Sequence, residues 1–138
     1  MTAAEFRVLL KQLACAWSTQ DTELALSCFA EDAVYSEPPD VQLYSGHDEL
    51  RPYFAALTPD TRMAFHTTAF DEMAQRGFGE YTFGSGRGDV ADHGVAVCDV
   101  AGDRIAAWRE YQRKGPAAFE DFIATEGKTW QWHIGNYP

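Results

Sequence analysis

Residues 93–111 constrain this chain more than any other stretch. They read His93-Gly94-Val95-Ala96-Val97-Cys98-Asp99-Val100, turn through Ala101-Gly102-Asp103, and return as Arg104-Ile105-Ala106-Ala107-Trp108-Arg109-Glu110-Tyr111. Two β-prone runs joined by a short turn rich in Gly and Asp predict an antiparallel hairpin. Side chains alternate along a strand, so Trp108, Glu110 and Gln112 share one face and Ile105, Ala107, Arg109 and Tyr111 the other. An acid beside an indole on such a face is the pattern of a pocket wall.

The hairpin comprises the last two of four strand-like runs, at about 62–74, 77–85, 93–101 and 104–113, separated by short turns that favour antiparallel pairing. Three helical segments precede them. Thr2 and Glu5 form a capping-box pattern ahead of Phe6, Leu10, Leu13 and Trp17, which repeat at helical spacing over about residues 3–18. Asp21 can cap a second helix carrying Leu24, Ala25, Cys28 and Phe29, followed by a short strand at Ala33-Val34-Tyr35 that Pro38-Pro39 stops. Ser45 and Asp48 are candidate caps for a third helix with Leu50, Tyr53, Phe54 and Leu57 on one face, ended by Thr58-Pro59-Asp60. Helices first and strands last predict an α+β fold: a curved antiparallel sheet wrapped over three N-terminal helices. After residue 114, Trp130, Trp132 and Ile134 alternate with Gln131 and His133, so 114–138 reads as a C-terminal arm or an extra strand.

A chain of 138 residues that is 46% hydrophobic and 14% aromatic can close one core over 1–138 without metal or disulfide help. Its 21 acidic and 11 basic residues give a net charge of −10, which repels phosphate backbones and anionic membranes, so neither nucleic acid nor a membrane is expected as a partner. The N-terminal residues lack a basic leader and no run approaches the ~20 apolar residues of a bilayer span. A cytoplasmic protein is expected. Cys15, Cys28 and Cys98 are odd in number, far apart and flanked by apolar residues, which predicts buried, reduced thiols. His47, His93 and His133 show no metal-ligand spacing, so neither a metal nor another cofactor is expected. Gly84-Ser85-Gly86-Arg87-Gly88 lacks the Gly-Lys-Ser/Thr ending of a phosphate cradle and reads as a wide hairpin turn.

Phe29-Ala30-Glu31-Asp32-Ala33-Val34-Tyr35, then Tyr44-Ser45-Gly46 opening a helix, then Gly94-Val95-Ala96-Val97 and Gly102-Asp103-Arg104-Ile105 running on to Arg109-Glu110-Tyr111 closely resemble the nuclear transport factor 2-like superfamily. Its polyketide-cyclase-like (SnoaL-like) branch is the nearest, and the resemblance covers roughly residues 3–113. It implies a cone, the cystatin-like α+β barrel, whose sheet and helices enclose a mainly apolar cavity open at one end. It also implies a homodimer made through the outer face of the sheet. The superfamily holds isomerases, cyclases, dehydratases, epoxide hydrolases and non-catalytic binding modules, so function has to be argued from individual residues.

Glu37 resembles the carboxylate with which ketosteroid isomerases remove a proton next to a carbonyl, and desolvation at a cavity mouth suits a general base. The alternative is a solvated acid in a Pro-rich loop. The isomerases' oxyanion donors, a tyrosine and a protonated aspartate, correspond to Leu13 and Val95 here, so that oxyanion hole is missing. Against limonene-epoxide-hydrolase-like members, Tyr35, Glu80 and Glu110 fit, whereas Glu37 stands for an asparagine and Phe78 for the arginine that links two acids. Glu37, Glu80 and Glu110 in one poorly solvated space cannot all be ionised, and with Tyr35 as a donor they can supply both an acid and a base. The alternative pairs Glu80 and Glu110 with Arg76, Arg104 or Arg109 on the sheet surface. His66 resembles the catalytic histidine of dehydratase-like relatives, but its orienting aspartate is replaced by Ser18. Trp17, Tyr44, Phe54, Phe78 and Trp108 are the expected substrate-binding wall, and the same spacing also suits plain core. Two functions follow: a cofactor-independent acid–base enzyme acting on a small apolar organic molecule, or a non-catalytic small-ligand or dimerisation module.

Overall fold

The computed structural model describes residues 1–127. Helix α1, Ala3–Thr19, starts where the sequence predicts: the Thr2 hydroxyl accepts from the Glu5 N–H at 3.3 Å, and the Glu5 carboxylate accepts from the Thr2 N–H at 2.7 Å. It ends at Gln20, whose left-handed backbone closes the last turn. Helix α2, Thr22–Ser27, is capped by Asp21, which accepts from the Leu24 N–H at 3.0 Å. There follow β1 (Phe29–Ser36), β2 (Leu43–Ser45), α3 (Gly46–Ala55), β3 (Thr61–Asp71), β4 (Arg76–Ser85), β5 (Val90–Ala101), β6 (Arg104–Pro116) and α4 (Phe119–Ile123). The glycine-rich run between β4 and β5 is a hairpin loop, and β1 is longer than the three residues predicted for it.

The six strands form one curved sheet in the order β2-β1-β6-β5-β4-β3. Its edges β2 and β3 do not pair with each other, so the cone is wrapped but not closed into a barrel. Four neighbour pairs are antiparallel as expected, but β1 runs parallel to β6. This corrects the wholly antiparallel expectation, because the chain leaves β1, passes through α3 and the hairpins, and returns on its far side in the same direction. The sheet carries Tyr35, Tyr81, Cys98, Ile105 and Trp108 into a core shared with Phe6, Leu10, Leu13 and Trp17 of α1 and Leu50 and Phe54 of α3.

Two details of register position the site. A slip in the β5–β6 pairing between Asp99 and Val100 turns both Ile105 and Trp108 inward, although strict alternation would separate them. Beyond the slip the predicted alternation holds, with Trp108 and Glu110 buried and Tyr111 exposed. On β4, Gly77 and Gly79 face α1: a Cβ would stand 2.8 Å from the Phe6 ring at the first and 2.9 Å from Leu10 at the second. Their lack of side chains brings the helix close to the sheet.

Cys28 and Cys98 are buried as expected, and burial pushes the Cys28 thiol up to about 11 and Cys98 up as well. Cys15 is instead exposed, because it lies off the apolar stripe of α1. No helix among the described residues is long and apolar enough to cross a membrane. The expectation for Trp130, Trp132 and Ile134 lies outside the described residues.

Candidate active site on two bridged carboxylates

Glu110 is 4% exposed, an unusual setting for a carboxylate with no cation beside it. What holds it is a set of neutral donors. Trp108, two residues earlier on the same face of β6, donates its indole N–H to Glu110 Oε2 at 2.6 Å. Tyr81 of β4 donates its hydroxyl to Glu110 Oε1, and the Tyr35 hydroxyl of β1 lies 2.9 Å from Oε2. Among the described residues no Lys, Arg or His forms an ion pair with Glu110, and Arg109, on the other face, pairs with Asp99 at 3.3 Å.

The same Tyr35 hydroxyl lies 3.0 Å from Glu37 Oε2, in the loop just after β1. Tyr53 of α3 also donates to that oxygen, and the Gln112 amide donates to Glu37 Oε1 at 2.9 Å. Gln112 Oε1 lies 3.1 Å from the Tyr81 hydroxyl, an alternative acceptor to Glu110 for its one proton. The contacts close a ring: Glu110, Tyr35, Glu37, Gln112, Tyr81 and back to Glu110. A tyrosine hydroxyl has one proton to donate, so Tyr35 can satisfy only one carboxylate as donor at a time. When Glu110 is protonated it can donate to Tyr35, which then donates to Glu37.

The electrostatics favour that state. Burial first, and then the negative charge of Glu37, push the Glu110 carboxyl up to about 7, against the opposing hydrogen bonds from Tyr81, Trp108 and Tyr35. Burial and the two carboxylates hold Tyr35 well above the ordinary tyrosine range, and they raise Tyr53 and Tyr81 in the same direction. All three remain neutral hydroxyls that can pass a proton but not lose one.

Glu37 and Glu110 border a cavity of about 20 Å³ whose other walls are Trp17, Tyr35, Tyr53, Phe54, Leu57 and Phe83. That is room for one water-sized group, so a larger molecule enters only if the aromatic wall moves. Residues 10–108 match the family model of the SnoaL-like domain. The chain belongs to the SnoaL-like family. No curated protein matches the sequence of this SnoaL-like chain. Solved structures that share its fold include a putative ketosteroid isomerase from Kribbella flavida, at 14% identity and a TM-score of 0.70 over 92% of this chain and 93% of that one. An LEH-like epoxide hydrolase of M. tuberculosis aligns at 17% identity and 0.66 over 80% and 84%. The epoxide hydrolase/cyclase-like enzyme SalBIII, described for pyran ring formation in the polyether salinomycin, aligns at 14% and 0.71 over 80% and 94%. At such identities the likeness is one of fold.

The SnoaL-like fold brings Glu37, Glu110 and Tyr35 together as the sequence suggests, with Trp17 and Phe54 in the cavity wall and Trp108 as a donor behind it. Tyr44 stands one layer back, stacked on Tyr53 with ring centroids 4.4 Å apart. Three expectations are corrected. Glu80 and Phe78 lie on the opposite face of β4 from Gly77, Gly79 and Tyr81, so neither reaches the cavity. His66 also faces outward, bonded to Thr82 at 2.7 Å and stacked on Phe119. Sequence reasoning missed Tyr53, Tyr81 and the bridging role of Gln112. The signal for Tyr81 was its alternation with two glycines, a face that does not look apolar until α1 is laid on it.

Proposed function

We propose that this SnoaL-like protein is a cofactor-independent acid–base enzyme acting on a small, mostly apolar organic molecule, in chemistry of the isomerase, cyclase, dehydratase or hydrolase type. Glu110 is the acid, Glu37 the base and Tyr35 the link between them. One observation carries this reading: a single hydroxyl stands within hydrogen-bond distance of two carboxylates, one of them buried so that its carboxyl is pushed up to about 7. Glu37 takes a proton from the substrate and Glu110 delivers one to another atom of it. The pair is then reset as Glu37 returns its proton to Tyr35 while Tyr35 passes its own to Glu110. Charge and proton number are the same before and after, and Tyr35 is neutral throughout.

The test begins with a thermal-shift screen of small ketones, epoxides and polyketide-like compounds, since a ligand that binds only the folded state raises its melting temperature. Binders are then assayed for turnover. Glu37→Gln and Glu110→Gln should each lose roughly 100-fold or more in kcat, as removal of a general acid or base does. The wild-type rate of the acid step should fall as pH rises through about 7, because Glu110 loses its proton there.

A second reading, a non-catalytic small-ligand module, is favoured by the size of the cavity and by the commitment of the Tyr35, Tyr53 and Tyr81 hydroxyls to the two carboxylates. In that case the glutamine variants change affinity alone and no binder is converted.

A further inference from the structure

Among the described residues, one buried side-chain polar atom has no hydrogen-bond partner: the indole nitrogen of Trp17. Trp17 is 4% exposed and lines the same cavity as Glu37 and Glu110. Its ring is boxed in edge-on by Phe54, Phe83 and Trp108, with centroids 5.6, 6.3 and 5.7 Å away. Buried donors in folded proteins almost always have an acceptor, and one without a protein acceptor beside a cavity leaves a place for an oxygen atom from water or a ligand. The contrast with the rest of the wall is sharp. Tyr35, Tyr53, Tyr81 and the Trp108 indole are all engaged by the two carboxylates and Gln112.

We propose that the Trp17 N–H receives a neutral oxygen of the substrate, a carbonyl or an epoxide oxygen, seated in this cavity. The donor excludes a cationic group, and the neighbouring carboxylates exclude an anion of like charge. The volume of about 20 Å³ takes one oxygen-sized group. Phe54, Leu57 and Phe83 are the apolar walls that must shift to admit the carbon frame and then cover it. Held there, the oxygen meets a fixed donor in the cavity that the acid–base pair also borders, an arrangement that stabilises charge as it develops on oxygen. The inference rests on the site being a ligand site as read above, but its test measures binding rather than turnover.

The probes are cyclohexanone, cyclohexene oxide and the oxygen-free methylenecyclohexane, added to full-length protein carrying ¹⁵N-labelled tryptophan. The Trp17 indole resonance is assigned by its loss in Trp17→Phe. Cyclohexanone, cyclohexene oxide or both should move that resonance downfield, the one that does so identifying the oxygen class, while methylenecyclohexane leaves it in place. Trp17→Phe should bind the effective oxygen probe roughly tenfold more weakly and methylenecyclohexane unchanged, the loss expected for one hydrogen bond. Should Trp17→Phe fail to fold, replacement of Trp17 by 3-benzothienylalanine keeps the ring size and removes only the N–H. The proposal is overturned if neither oxygen probe moves the resonance up to its solubility limit, as for an N–H resting on a neighbouring ring. Equal loss of oxygen and hydrocarbon binding in the variants overturns it too. If the resonance moves in wild type, Glu37→Gln and Glu110→Gln alike while no probe is converted, the acid–base reading fails and the oxygen site stands.

Discussion

Strand β4 takes part in two polar clusters, one on each face, and they differ in kind. Inside, Tyr81 meets Glu110 and Gln112; one residue along and on the outer face, Thr82 lies 2.7 Å from His66 Nε2 and 2.8 Å from His93 Nδ1. His93 Nε2 donates to the Pro116 carbonyl at 2.6 Å, which leaves Nδ1 to accept from Thr82 and Thr82 to accept from His66. Phe119 stacks on His66 and Phe122 on His93. In the outer chain every donor finds an acceptor. The inner ring has two acids and no cation, so it is satisfied only by keeping a proton that two groups compete for. Polarity alone does not make a reactive site; an unbalanced charge resolved by a movable proton does.

The two clusters also respond to pH with opposite sign. Glu110 has a raised carboxyl, so the folded state holds a proton that the unfolded chain releases, and stability is lost as pH rises from about 4.5 to about 7. Burial lowers His66, so its contribution is present above about 6.5 and is lost as pH falls from there to its lower folded value.

The largest effect expected from breaking this contrast is on the inner side. Urea unfolding across pH 4.5–7 should show wild type losing roughly 3 kcal/mol, and Glu110→Gln should flatten most of that slope. A slope equally steep in the variant would move its origin elsewhere. Gly94→Ala comes next. Its Cβ would stand 2.4 Å from the Tyr111 carbonyl and 2.7 Å from the Tyr81 hydroxyl, crowding that hydroxyl away from Glu110. About 2 kcal/mol of destabilisation is expected, with the Glu110 titration midpoint moving up because a hydrogen bond to the charged form is weakened; carboxyl-carbon NMR reads both states. The smallest effect is Thr82→Val, about 1 kcal/mol from the broken outer chain. The Glu110 midpoint should stay where it is, and movement there would mean that the clusters communicate through the strand.

Much of this architecture is legible in the residues. The helical stripe of Phe6, Leu10, Leu13 and Trp17 and the alternation of Trp108 with Glu110 depend on local periodicity, and both hold in the structure. Glu80 and His66 are misplaced for different reasons: His66 falls at a break in the β3–β4 register between Phe65 and Thr67, whereas Glu80 turns on which face of β4 is inside. Alternation says that Glu80 and Tyr81 face opposite ways but not which way is in, and Phe78 with Glu80 looks more like a pocket wall than Gly77 with Gly79. Only the close approach of α1 resolves it, and that is a tertiary fact. The partners Tyr53 and Gln112 were hidden for the same reason, since a helix and a distant strand meet at Glu37 with no local pattern to announce it.

The parallel seam between β1 and β6 has a consequence for how the molecule comes into being. Tyr35 and Glu110 are 75 positions apart in the chain and meet only across that seam. Contacts of such long span bear a heavy loop-closure penalty and slow folding. During synthesis the acid pair therefore cannot exist until β6 has emerged and docked, and a nascent or prematurely ended chain carries Glu37 without its counterpart.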